Sequence, residues 1–175
     1  MSKYLKSLFS LKRLQLLVVY ASIFLLSGFV GNIWMTRNQQ TGQIPDISAI
    51  NLQGQPVNLG VNHLKENPLL IYFFADWCPI CKAQHSVISA IDEDYDVLGI
   101  AMQSGDIDNV GKYVADQNIG FSVINDENGN ISRSFGVNGV PAAFIVDKTG
   151  DLKYSTRGYA TEAGLRSRLW LADSH

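Results

Sequence analysis

The chain has two cysteines, and they stand two residues apart in Phe74-Ala75-Asp76-Trp77-Cys78-Pro79-Ile80-Cys81. At this spacing the thiols can close a small disulfide and open it again. An apolar run precedes the pair and a helix-like stretch follows it, which puts Cys78 at the N-terminal end of a helix. Unpaired backbone N–H groups and the positive end of the helix dipole stabilise a thiolate there. The thiolate is the attacking species in thiol–disulfide exchange, and that is the chemistry the pair points to.

Two plainer readings compete. Half a zinc site needs two more Cys or His ligands, usually as a second pair. No second cysteine pair exists, and His63, His85 and His175 are scattered. A static structural bridge is the other. Closing so short a loop removes little chain entropy, so stabilisation alone is a poor reason for it. Redox use is favoured.

The elements that must position the pair can be read around it. Residues 69–74 form a continuous apolar run after Pro68, which suits a buried central strand. Residues 80–91 carry apolar positions at Ile80, Ala83, Val87, Ile88 and Ile91, a helical stripe. Within that helix His85 is expected to point to solvent. Residues 97–102 read as a second buried strand. Asp106 can cap a helix with Ile107, Val110 and Val114 on one face, ended by Gly120. A short strand over 121–124 precedes turn residues 126–130. That turn is a poor calcium loop, because Ile131 stands where a glycine is required and Val137 where a glutamate is. A helical turn follows over 131–135. Strands over 142–147 and 152–156 flank Lys148-Thr149-Gly150. Thr161 caps a last helix reaching residue 171, with Leu165, Leu169 and Trp170 inward. Upstream, residues 44–59 alternate loosely around Gln53-Gly54-Gln55, a hairpin. The order is hairpin, β, α, β, α, β, α, β, β, α: an α/β fold, a mixed sheet with helices on both faces. The cysteines fall at the carboxyl end of a central strand, where open α/β sheets place their sites.

The N-terminal part is different. Residues 14–36 contain no charge over 23 positions, enough to cross a membrane as a helix. Lys3, Lys6, Lys12 and Arg13 precede the run; after Arg37 the next base is Lys65. This bias puts the N-terminus in the cytoplasm and the rest outside. A cleaved signal peptide fits less well, since the run is long and no small-x-small site follows it. Trp34 suits an outer-interface anchor. The expected plan is a basic N-terminus at 1–13, a transmembrane anchor at 14–36, a linker at 37–43 and one domain at 44–175. All 16 acidic residues and nine of the 14 basic ones lie beyond residue 37, leaving that part at −7. Without a basic stripe, nucleic acid is excluded as a partner class. A domain of this length can bury a core without disulfide staples, and a location outside the cytoplasm permits disulfide chemistry.

Three segments together carry a resemblance: Phe74 to Lys82 around the cysteines, Gly99-Ile100-Ala101-Met102-Gln103-Ser104-Gly105, and Phe135-Gly136-Val137-Asn138-Gly139-Val140-Pro141-Ala142-Ala143-Phe144-Ile145-Val146-Asp147. Over about residues 44–171 the chain resembles the thioredoxin fold, in the membrane-tethered extracytoplasmic TlpA/ResA/DsbE group. It looks closest to the copper-sensitivity suppressor D type (ScsD-like). The resemblance implies a cis Val140–Pro141 peptide packed beside the disulfide. It implies that Cys78 attacks and Cys81 resolves, with Pro141 as the third site residue. Trp77, Pro79, Ile80 and Val140 would then meet the substrate. It implies no bound cofactor and no metal ligands. The partners would be periplasmic protein thiols and disulfides and a membrane thiol–disulfide electron donor. The location would be the bacterial inner membrane, with exchange in the reducing or isomerising direction.

Pro141 also has a physical case. A proline entering a strand cannot donate to the ladder, and a cis bond is accessible at proline. Such a bond would turn the Val140 backbone toward an incoming chain. An ordinary strand-entry proline is the plainer reading.

Several positions depart from the group. Gln84 stands where many reductases carry a carboxylate, and Tyr72 where thioredoxins carry a buried aspartate. Gln84 can hydrogen-bond but cannot titrate. Ala142 replaces the usual threonine after the proline. Asp76 and Lys82 read as solvated flanks. Two other functions rank lower. A peroxiredoxin-type peroxidase wants Pro and Thr just before its cysteine, where this chain has Ala75 and Asp76 ahead of Trp77. A copper-handling thiol protein remains chemically open, since Cu(I) is soft and two thiolates can bind it.

Overall fold

A computed structural model describes residues 42–60 and 67–174, with helical positions at 15, 16, 18–20, 22 and 23. The chain divides into two units, Met1–Arg37 and Asn38–His175. The anchor expected at 14–36 falls largely outside the described residues. Among those described, no helix is long and apolar enough to cross a membrane.

The second unit contains eight described strands: β1 (Gly42–Gln43), β2 (Ile47–Ile50), β3 (Pro56–Leu59), β4 (Leu69–Phe74), β5 (Asp96–Met102), β6 (Ser122–Asp126), β7 (Ala142–Val146) and β8 (Asp151–Arg157). Its helices are α1 (Pro79–Asp92), α2 (Ile107–Asp116), α3 (Asn130–Ser134) and α4 (Glu162–Asp173). Six strands form one sheet in the order β1-β8-β7-β4-β5-β6, and β2 pairs with β3 as a separate antiparallel hairpin. β4 runs parallel to β5 and antiparallel to β7, so the sheet is mixed.

Every residue of β4 is buried, as a strand covered on both faces must be. Side chains alternate across a strand, and β4 divides accordingly. Leu70, Tyr72 and Phe74 face a cluster with Ile88 and Ile91 of α1, Val110 of α2, and Leu165 and Leu169 of α4. Leu69, Ile71 and Phe73 face the other cluster, with Leu59, Phe135 and Phe144. One glycine is required by packing. A Cβ at Gly99 of β5 would lie 2.7 Å from the Phe121 ring, which packs edge-on to Tyr72.

Most of the expected elements are present, with shifted ends. Gly42–Gln43, expected as linker, pairs with Asp151 and Leu152 at the sheet edge. α2 stops before Gly120, with Asn118 in the left-handed region at φ 50°. Asp126 closes β6 rather than opening a turn. Its carboxylate accepts from Ile131 N (3.0 Å), Ser132 N (2.8 Å) and Ser132 Oγ (2.6 Å), tying down the start of α3. Trp170 does not point inward; it is 63% exposed. The buried face of α4 is Leu165, Leu169 and Ala172, and residue 170 lies one helical step around from it.

Candidate active site

The cysteines sit where β4 gives way to α1. Cys78 N donates to Ala75 O (3.2 Å), and Asp76 Oδ1 accepts from Trp77 N (2.8 Å), so the chain turns sharply after the strand. Cys78 is the N-cap of α1, in extended backbone, with Pro79 following in the first turn. Proline fits there because its missing N–H has no helical partner anyway. Cys81 N donates to Cys78 Sγ at 3.1 Å, so the sulfur takes one of the unpaired amides of the helix start. Cys78 and Cys81 are joined in a disulfide, with their Cα atoms 5.3 Å apart. Cys78 retains 5% exposure and Cys81 none.

Val140 O lies 3.7 Å from Cys78 Sγ, and the Val140–Pro141 peptide is cis. Pro141 O accepts from Gly158 N (2.8 Å), which ties this loop to the end of β8. Gly158 has φ 79°, a backbone suited to glycine. Trp77 is 60% exposed, yet its Nε1 donates to Gln103 O (3.1 Å). Gln103 N in turn donates to Asp126 O (3.0 Å), and Ser104 Oγ accepts from Asp76 N (3.1 Å). The loop after β5 thus holds both the indole and the turn before the cysteines. Pro79 and Ile80 are exposed beside the disulfide, and Val140 is half-buried. The structure therefore gathers Trp77, Cys78, Pro79, Ile80, Val140 and Pro141 around one sulfur, with Cys81 behind it.

The floor of the site differs from expectation. The buried face of α1 is Cys81, Gln84, His85, Ile88 and Ile91, whereas Ile80 and Ala83 are exposed. The apolar count misplaces this face because two polar residues stand on it. His85 does not reach solvent. Its ring packs edge-on to Phe74 (5.2 Å between centroids) and Tyr72 (6.0 Å). Its Nε2 meets Tyr113 Oη at 2.9 Å. Burial, and then the nearby Lys82 charge, lower its pKa to about 4. Tyr72 Oη donates to Cys81 O (3.3 Å), and burial pushes this hydroxyl far above its ordinary range. Gln84 is fully buried, and among the described residues neither of its amide atoms has a hydrogen-bond partner. Asp76 and Lys82 are exposed.

Beside Trp77 lies an open groove of about 470 Å³, lined by Asp76, Gln103, Ser104, Asn109, Lys112 and Tyr113 among others. It joins three separate stretches of chain, and no local motif marks it. Among the described residues no group of three or more His, Cys, Asp and Glu gathers as a metal site.

A model of the AhpC/TSA family matches residues 41–155, a span that holds both cysteines and Pro141. The chain belongs to the AhpC/TSA family. It is 29% identical over 133 residues to a thioredoxin-like protein of Haemophilus influenzae, covering 75% of this chain and 78% of the relative. It is 25% identical over 163 residues to the thiol:disulfide interchange protein DsbE of Pasteurella multocida, covering 85% and 86%. A solved thioredoxin-family thiol:disulfide interchange protein from Chlorobium tepidum superposes with a TM-score of 0.64 at 23% identity, covering 76% of this chain and 97% of the other. The resemblance to the thioredoxin-like DsbE and ResA proteins therefore stands, and the fold is thioredoxin-like.

Proposed function

We propose that this thiol–disulfide oxidoreductase works on protein thiols outside the cytoplasm, held to the inner membrane by residues 14–36 with its N-terminus inside. Cys78 is the attacking sulfur and Cys81 the resolving one. The observation that carries this assignment is the contrast at the disulfide. Cys78 keeps an accessible edge and faces the Val140 carbonyl across 3.7 Å, while Cys81 is sealed.

In the reducing direction the Cys78 thiolate attacks one sulfur of a substrate disulfide. A Cys78–substrate disulfide forms, and the other substrate sulfur leaves as a thiolate. Cys81, as thiolate, then attacks Cys78 Sγ, closing the internal disulfide and releasing the second substrate thiolate. Two electrons pass from the protein to the substrate, and two protons accompany them. The two sulfurs carry the electrons, so the reaction needs no organic cofactor. The oxidised protein must be reduced again, and a membrane thiol–disulfide donor fits a tethered domain. Trp77, Pro79, Ile80 and Val140 supply the surface on which the substrate chain lies, and the buried Pro141 shapes the Val140 backbone. An oxidised substrate segment that reacts only through Cys78 explains why the exposed apolar side chains collect on that side.

Trapping tests the assignment. Cys81→Ser should accumulate mixed disulfides with exported proteins, seen as adducts on non-reducing gels, and Cys78→Ser should accumulate none. Equal alkylation of both reduced thiols near neutral pH would overturn the division of labour. A reporter fused after His175 should be active only when exported; activity in the cytoplasm would remove the anchor.

A further inference from the structure

The resolving step requires Cys81 to lose its proton inside the protein, and the group receives no carboxylate on the buried face of α1. Among the described residues the buried titratable side chains other than the cysteines are Tyr72, His85, Asp126 and Asp147. Asp126 is occupied at the start of α3. Asp147 is occupied by Thr149, Asp151 and Lys153. Tyr72 donates to Cys81 O, and burial holds it far from ionisation. His85 remains.

Its placement fits. A helical side chain leans toward the N-terminus, so a residue at i+4 covers the turn that carries residue i. His85 stands four residues after Cys81, and both are buried on one face. They share Tyr72, whose hydroxyl reaches Cys81 O and whose ring meets His85 edge-on. His85 Nδ1 is buried with no hydrogen-bond partner among the described residues, while Nε2 is engaged by Tyr113. Tyr113 lines the open groove beside Trp77, with Asp76, Lys112 and Asp116.

We propose that His85 takes the proton of Cys81 in the resolving step, with Tyr113 linking it to the groove. This rests on the exchange reading above. In the mixed disulfide, Cys81 S–H passes its proton to His85 Nδ1. The Cys81 thiolate attacks Cys78 Sγ, the Cys78–substrate bond breaks, and the substrate sulfur leaves with the electron pair. The proton then passes from the imidazolium by way of Tyr113 to the substrate thiolate or to water in the groove. Nδ1 must be the free acceptor, so the neutral tautomer carries its hydrogen on Nε2 and donates to Tyr113 Oη. The charged and titratable groups facing the ring are Tyr72 from β4, Tyr113 from α2, and Lys82 on α1; Asp76 acts on Tyr113. Burial and Lys82 keep His85 neutral while the disulfide is closed. A thiolate at Cys81 supplies the opposite charge that this state lacks, and the buried pair shares one proton without changing its net charge.

The test follows single turnovers of the reduced full chain with oxidised glutathione, by rapid quench across a range of pH. His85→Gln keeps a hydrogen-bonding side chain but cannot titrate. It should slow resolution of the Cys78–glutathione disulfide on the order of 100-fold at about pH 6. The deficit should shrink as pH rises, with iodoacetamide alkylation of Cys78 unchanged. Tyr113→Phe keeps the ring against Phe74 and loses only the hydroxyl. It should slow resolution less, with the same pH trend, and it serves if His85→Gln does not fold. Superimposable pH profiles for either variant and the wild type would overturn the proposal. So would equal slowing of resolution and of Cys78 alkylation. A wild type that forms no mixed disulfide at all would instead overturn the oxidoreductase reading, and this inference with it.

Discussion

Above the disulfide, Trp77, Pro79 and Ile80 are exposed, Val140 is half-buried, and the polar contacts are to backbone. Trp77 hangs from Gln103 O, the Pro141 carbonyl holds Gly158 N, and Val140 O faces Cys78 Sγ. Below it, Tyr72, Phe74, Gln84 and His85 are buried and the rings pack on one another, with Tyr113 half-buried at the edge. His85 lies among Tyr72, Phe74 and Tyr113, and Gln84 has no hydrogen-bond partner among the described residues. The upper region has only to present a sulfur, an apolar rim and a carbonyl to any incoming chain. On the proposal above, the lower region takes the proton of Cys81. Of the departures from the resemblance, Tyr72 and Gln84 lie in the floor and Ala142 directly follows the rim proline. The difference teaches that the residues presenting Cys78 and those surrounding the buried Cys81 are separate sets.

The largest effect should come from the rim itself. Cys78→Ser should abolish exchange with any disulfide substrate, measured by insulin or glutathione turnover, while Gln84→Leu below should leave it measurable. If Gln84→Leu were equally inactive, the two regions would not be separable.

The next effect belongs to the floor and to pH. His85 has a folded pKa of about 4 against an ordinary value of 6.5. The unfolded chain therefore binds the extra proton first as pH falls. The stability tied to a neutral His85 is fully present above about 6.5 and is lost as pH falls toward 4. Over that interval the loss should reach on the order of 3 kcal/mol. Urea unfolding of the oxidised protein at several pH values should show this slope, and His85→Phe should flatten it. An equal slope in both proteins would assign the pH dependence to other groups.

Gln84 should give a smaller effect of the opposite sign. Its two amide atoms are buried without partners among the described residues, and such groups cost about 1–3 kcal/mol. Gln84→Leu should therefore stabilise the protein by about 1–2 kcal/mol, with the lost amide no longer desolvated. Gln84→Glu asks the chemical counterpart. A carboxylate there could compete with His85 for the Cys81 proton and should change the pH profile of exchange. An unchanged profile would mean that this position does not communicate with the sulfur.

What could be read in advance follows the same division. Cys78 and Cys81 announce themselves through residue type and spacing, Pro141 through the resemblance, and residues 69–74 through an unbroken apolar run. The strand and helix order was legible because each element buries enough apolar surface to leave a pattern. The floor was not. Apolar periodicity gives α1 a stripe through Ile80, Ala83, Val87, Ile88 and Ile91; Ile88 and Ile91 are buried, but Gln84 and His85, being polar, hide the rest of the buried side. Residues from β4, α2 and α4, with the rings of Tyr72 and Phe74 against His85, make that side an interior. Trp170 misled in reverse, being large and apolar but one step off the face that Leu165 and Leu169 define. Gly42–Gln43 pairs through backbone alone, and a two-residue edge strand leaves no side-chain signal.

The smallest effect sharpens the comparison at its boundary. Lys82 is exposed, yet its charge is the second cause of His85's low pKa, after burial. Exposed ion interactions are worth about 0.2–1 kcal/mol and are screened by salt. Lys82→Ala should therefore raise the titration midpoint of His85 slightly, followed by the imidazole proton resonances. Added salt should move the wild-type midpoint the same way and leave the variant's nearly fixed. Burial does not respond to salt, so the portion of the shift that survives in the variant belongs to the sealed floor. If the midpoint of the variant equals that of the wild type at low salt, the surface charge does not reach the ring. The two regions would then be electrically separate as well as chemically distinct. If it moves far, toward the ordinary histidine range, the floor is less sealed than the packing of Phe74 and Tyr72 around His85 requires.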